Sequence, residues 1–196
     1  MTLLKRSFYL QEDVVDLARR LLGMVIVTGS GSGRTSAIIT ETEAYAGEPD
    51  RASHAFGGRR TPRNEVMYGI GGTAYVYLCY GIHNLFNVVT NAKGIPHAIL
   101  LRAVQPLEGM DTMRMRRGGT MRELCAGPGT LTKALGIGLH HNGVDLVNGA
   151  IKIEERGFHV PDHAVIVGPR VGVEYAKQDA RLPYRFRVAK DHSFAP

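Results

Sequence analysis

The sequence predicts an α+β fold: a single domain, residues 1–196, whose mainly antiparallel, curved (open-barrel-like) β-sheet is flanked by helices and carries a protruding β-hairpin. Three observations lead there. Hydrophobic residues make up 44% of the 196 positions, enough for one sizeable core and too little for two. Strand-like runs rich in β-branched and aromatic residues recur along the chain, bounded by glycine and proline. Helical periodicity is confined to a few stretches between them, and no internal repeat or linker divides the chain.

The elements follow in order. Residues 11–22 place Val14, Val15, Ala18, Leu21 and Leu22 on one helical face, and Gly23 stops the pattern. Met24–Thr28 and Ser36–Thr42 read as strands joined by a GSGSGR hairpin loop, since no helix follows to make that loop a phosphate cradle. Residues 46–72 are irregular and crowded with Gly, Pro and Arg, and a connection this long in a compact domain is more often functional than idle. Thr73–Tyr80, a tip at Gly81–Ile82–His83 and Asn84–Thr90 form the strongest hairpin signal. His97–Val104 reads as a buried strand and 106–124 as a helix interrupted at Gly118–Gly119. Gly127–Pro128–Gly129 then leads into a short helix, Thr130–Leu135, whose N-terminus suits an anion. Short strands at Ala150–Glu154, Ala164–Val167 and Tyr184–Ala189, with a helix near 174–180, complete the chain.

The charge is basic: 24 Lys and Arg against 18 Asp and Glu, a net +6. Clusters at Arg59, Arg60 and Arg63, at Arg114, Arg116, Arg117 and Arg122, and at Arg181, Arg185, Arg187 and Lys190 suit either a polyanionic partner or an ordinary solvated surface. The two cysteines, Cys79 and Cys125, stand in apolar settings and suggest neither a disulfide framework nor a zinc site. Lys5 and Arg6 close the short apolar start, so no signal peptide is read, and no run approaches the roughly 20 apolar residues of a membrane span. A cytoplasmic setting without membrane contact is expected.

Three constellations carry chemistry. Glu41, Glu43 and Tyr45 alternate at a strand end and share one side, with His54 nine residues beyond Tyr45. They suit acid–base work or a metal, or merely a polar strand end facing water. Tyr75, Tyr77 and Tyr80 lie on one arm of the hairpin and Asn87 on the other. Tyr75 reads as packing, whereas Tyr80, at the turn, is placed to project into solvent and wedge between bases. Arg102 interrupts an apolar run, where a charge is costly unless paired, Glu41 or Glu43 being the natural partner.

The strings ETEAY (41–45), SHAFGG (53–58), RTPRN (60–64), YVYLCYG (75–81), ILLRAVQPLEG (99–109), LCAGPGTL (124–131) and PRVGV (169–173), in this order, resemble the alkyladenine (3-methyladenine) DNA glycosylase family. The resemblance runs from about residue 7 to residue 188. It implies a monofunctional glycosylase that acts as a monomer on double-stranded DNA, without metal or cofactor. Such an enzyme flips a modified purine into a pocket and hydrolyses its glycosidic bond, leaving an abasic site. Expected substrates are 3-methyladenine and 7-methylguanine, with hypoxanthine and ethenoadenine as further candidates.

By the resemblance Glu43 matches the general base, and Arg102 the residue that orients the water and the nucleotide's phosphate. His54 joins them in the catalytic group. Tyr45, Tyr77 and His54 match the pocket's walls, Asn87 the residue that crowds the 2-amino group of guanine, and Tyr80 the intercalating wedge. Arg60, Arg63, Gly127 and Arg170 are expected to contact the DNA backbone. His83 and Asn84 are more polar than the bulky residues associated with that part of the hairpin, which leaves the wedge to Tyr80 alone. Competing readings are a nucleic-acid-binding module without catalysis, and a metal-dependent hydrolase built on Glu41, Glu43 and His54.

Overall fold

The computed structural model describes residues 1–29, 31–118 and 125–194. In chain order its regular elements are β1 (Thr2–Leu3), α1 (Arg6–Tyr9), α2 (Val14–Arg20), β2 (Val25–Thr28), β3 (Thr35–Tyr45), β4 (Ala74–Cys79) and β5 (His83–Thr90). There follow β6 (His97–Glu108), α3 (Met110–Arg116), α4 (Pro128–Leu135), β7 (Ile151–Glu155), β8 (Val165–Gly168) and β9 (Arg185–Val188). Among the described residues these strands form one sheet in the order β1-β7-β2-β3-β6-β5-β4, with β9 pairing both β3 and β8. Every strand pairing in it is antiparallel, and the sheet curls into a half-barrel.

β3 is the spine. One of its edges pairs with β6 along nearly its whole length, and the other is shared between β2, opposite Thr35–Ile38, and β9, opposite Glu41–Glu43. Register shifts on both sides of Glu41 break the regular ladder with β6. Irregularities of this kind bend a strand and re-aim its side chains. The bend falls in the acidic ETEAY stretch, so the strand changes course where the polar residues begin.

Helix α2 packs against β3, β6 and β9. Asp13 caps it by accepting from the amides of Val15 and Asp16 at 2.9 and 3.0 Å, and Val14, Leu17 and Ala18 are buried beneath. Thr42 of β3 donates its hydroxyl to the Ala18 carbonyl at 2.7 Å, tying sheet to helix. Gly23 ends this segment with φ at +82°, and a Cβ there would stand 2.3 Å from the Phe158 carbonyl oxygen, so only glycine fits. Ile39, Phe86, Ile99, Leu101, Met113 and Leu131 meet in the core with no more than a trace of exposure. Truncating one of them, as in Leu101→Ala, costs about 2–5 kcal/mol.

Three expectations are revised. The stretch from 106 is not helical at its start: β6 continues to Glu108, and Gly109, at φ +74°, turns the chain into α3. The helix expected near 174–180 is a run of 3-10 turns, Glu174–Arg181, broken at Lys177 where φ is +55°. The hairpin tip is Tyr80–Gly81–Ile82 rather than Gly81–Ile82–His83, because Cys79 pairs with His83 across the strands. Gly119 and Arg122 lie outside the described residues.

Candidate active site

The bend in β3 delivers Glu43 to the interior with no exposed surface. A buried carboxylate is costly unless hydrogen bonds and opposite charge compensate it. Here the Val171 amide donates to Oε1 at 2.8 Å, the Tyr45 hydroxyl donates to Oε2 at 2.9 Å, and Arg102 Nε lies 3.3 Å from Oε1. Arg102 Nε also donates to Glu41 at 2.9 Å, and Arg185 Nε donates to the same oxygen at 2.6 Å. Two carboxylates thus alternate with two guanidiniums in one chain of charge. Burial raises the Glu43 carboxyl above its ordinary value of 4.5, although Arg102, the Val171 amide and Tyr45 each pull it down. The water-facing strand end expected as one reading of ETEAY does not occur.

In front of this cluster opens a cavity of about 900 Å³, whose wall includes Tyr45, His54, Tyr75, Tyr77, Asn87 and Arg102. The hairpin supplies its aromatic face. Tyr75 and Tyr77 project from β4 with ring centroids 5.2 Å apart, and His54 meets Tyr77 edge-on at 4.8 Å. The Tyr75 hydroxyl and His54 Nδ1 share a 2.9 Å hydrogen bond. Burial, followed by the charges of Arg63 and Arg59, lowers the His54 imidazole to about 4, so it is neutral at physiological pH. Asn87, opposite Tyr75 on β5, donates its side-chain amide to the Tyr75 carbonyl at 3.1 Å, which fixes its position in the wall.

Tyr80 stands at the cavity mouth, 90% exposed, with φ at +50°, a backbone state that L side chains adopt only at a cost. Ile82, 75% exposed, stands beside it. Arg63 also reaches the cavity, stacking over the Tyr77 ring at 4.9 Å and donating to the Leu78 carbonyl at 3.2 Å. Gly127 caps α4, its amide donating to the Thr130 hydroxyl at 2.9 Å, and that helix start also lines the cavity.

Not every expected residue lies at the site. Glu43 is one side chain behind the wall: Tyr45, Arg102 and Val171 line the cavity and Glu43 itself does not. Arg60 sits on the surface, paired to Glu65 and stacked over Tyr68 at 4.6 Å. Arg170 lies inward: its fully buried guanidinium donates twice to Asp50, once at 2.8 Å, and lies 4.9 Å over the Tyr45 ring. In this structure its side chain braces Tyr45.

Three contributors escaped the sequence reading. The Val171 amide was hidden because a backbone donor leaves no residue signature. Tyr175, whose hydroxyl donates to the Ala52 carbonyl at 3.1 Å, lines the cavity from a segment read only as helix. Ile82 carries the one readable sign of the three, an isoleucine at a hairpin tip beside the polar His83 and Asn84. Among the described residues no three His, Cys, Asp or Glu side chains are grouped for a metal ion, and no helix is long and apolar enough to cross a membrane.

The family model described as methylpurine-DNA glycosylase matches residues 7–192. A protein of Chlamydia abortus named "Putative 3-methyladenine DNA glycosylase" is 45% identical over 187 residues, covering 94% of this chain and 97% of its own. Identically named proteins of Chlamydia felis and Bacillus mycoides are 43% and 40% identical, covering 94% and 96% of this chain and 95% and 96% of their own. The chain belongs to the methylpurine-DNA glycosylase family, hydrolases that act on N-glycosyl bonds.

Proposed function

We propose that this protein is a monomeric, monofunctional glycosylase that flips an alkylated purine out of duplex DNA and hydrolyses its glycosidic bond with water activated by Glu43. The observation that carries this reading is a buried carboxylate, held by the Val171 amide and the Tyr45 hydroxyl, directly behind the wall of an aromatic cavity. Water reaches Glu43 at the seam bounded by Tyr45, Arg102 and Val171. There Glu43 takes a proton from the water as its oxygen bonds to C1′, and the C1′–N bond breaks with its electron pair leaving on the base. The raised carboxyl makes Glu43 a stronger base than an exposed glutamate, while Arg102 favours its ionised form. Its negative charge also stabilises the positive charge growing on the sugar.

The cavity suits a cationic base. The electron-rich faces of Tyr45 and Tyr77 attract a positively charged ring, and the neutral His54 adds no repelling charge. 3-Methyladenine and 7-methylguanine are the substrates this favours; hypoxanthine and ethenoadenine are neutral and gain less. Asn87, fixed by its hydrogen bond, crowds the edge of an inserted guanine. Tyr80 fills the gap left in the base stack, and Arg63 with the Gly127 amide region meets the flipped strand's phosphates.

Single-turnover excision across a panel of these modified purines tests the reading, with Glu43→Gln as the paired variant. Loss of a general base lowers the rate roughly 10²–10⁴-fold, and lesion-duplex affinity stays near wild type. Excision by Glu43→Gln at the wild-type rate refutes the assignment.

A further inference from the structure

A second depression, about 450 Å³, lies against the hairpin tip and shares only His83 and Gly129 with the aromatic cavity. The tip divides them: Cys79 and Tyr80 line the first, whereas Ile82 and Asn84 line the second. The partition is tight, since a Cβ on Gly129 would stand 2.7 Å from the His83 ring. Helix α4 is split in the same way, its start facing the aromatic cavity and Thr132, Lys133 and Gly136 facing the second depression.

The second depression differs in chemistry. Among the described residues its wall holds no Asp or Glu and carries Arg116, Lys133, His83 and His140. Arg116 is fixed by oxygens that bear no net charge, donating to the Gly33 carbonyl at 3.0 Å, the Ala134 carbonyl at 3.1 Å and the Thr35 hydroxyl at 3.3 Å. Its positive charge is therefore oriented, with no carboxylate paired to it among the described residues. Lys133 is exposed and has no ion-pair partner among the described residues. A concave surface with uncompensated cations attracts a mobile anion and holds it in a defined place.

We infer that this depression receives the backbone of the DNA strand opposite the lesion, with a phosphate on Lys133 in the field of Arg116. The inference rests on the proposed function, in which the tip enters the duplex and the lesion strand takes the aromatic side. The complementary strand must then pass on the other side of the same tip, where these cations lie. The two depressions thus sort the strands, one by aromatic faces and the other by charge.

The test uses the full-length protein and a duplex carrying a tetrahydrofuran abasic analogue, measured across a salt series. Lys133→Ala, an exposed substitution, lowers the slope of log affinity against log salt by about 0.9, the value for one phosphate contact. Single methylphosphonates, which remove one phosphate charge each, are then placed along either strand. One position on the strand opposite the lesion weakens wild-type binding and leaves Lys133→Ala binding no weaker. An unchanged salt slope, or coupling of Lys133 to the lesion strand alone, overturns the inference. A wild-type protein that excises normally beside such a result confines the failure to this depression, whereas a wild type without excision refutes the proposed function instead.

Discussion

Tyr80→Ala isolates the hairpin wedge from the fold. Tyr80 is 90% exposed, so truncation removes no packing, and alanine meets the same left-handed backbone cost at φ +50°. Surface changes of this kind leave stability within about 0.5 kcal/mol. Stacking of an aromatic side chain on a base is worth roughly 1–3 kcal/mol. At about 1.4 kcal/mol per factor of ten, the loss of lesion-duplex affinity is roughly 5- to 150-fold. In the proposed complex Ile82, 75% exposed on the same tip, fills part of the gap. The single variant therefore falls toward the lower end of that range, and Tyr80→Ala/Ile82→Ala toward the upper. Fluorescence anisotropy on a lesion-bearing duplex reads affinity, and urea unfolding confirms that the fold is intact. A single variant that unfolds as wild type and binds within two-fold of it refutes the wedge.

The pH profile gives a second test. The proposed base, Glu43, must be ionised to act, and burial holds its carboxyl above 4.5, so the proposal predicts a single-turnover rate that falls with falling pH at a midpoint above that value. A rate that is flat down to the ordinary carboxylate range removes Glu43 as base. Asp50→Ala leaves the Arg170 guanidinium buried without its partner and lowers stability by about 3–5 kcal/mol. Urea denaturation measures this, and a loss below about 1 kcal/mol refutes the bracing role.

Much of the architecture was legible because it follows from local pattern. Alternating aromatic and β-branched residues marked β4 and β5, and the long irregular stretch 46–72 marked the loop that carries His54 and Arg63 to the cavity. Pro106 and the Met- and Arg-rich run after it suggested helix too early, because the pairing that holds β6 extended to Glu108 comes from β3, some seventy residues away. Arg170 illustrates the same limit: its sequence setting shows a cation but not that Asp50, 120 positions earlier, encloses it. The Val171 amide at Glu43 carries no side-chain signal at all. Periodicity was readable, and the partners that long-range folding supplies were not.

The bonds that complete the carboxylate cluster run from one end of the chain to the other. Val171 reaches Glu43 across 128 positions, Arg170 reaches Asp50 across 120, and Arg185 reaches Glu41 across 144. A chain emerging from the ribosome makes β3, the hairpin tip and the basic loop long before these partners exist. In such a nascent segment Glu43 still lacks the Val171 amide that holds its carboxylate in the folded chain. The donors that complete the carboxylate cluster are thus the last to be synthesised, and the buried charge of Glu43 is compensated only once the chain has passed Val171.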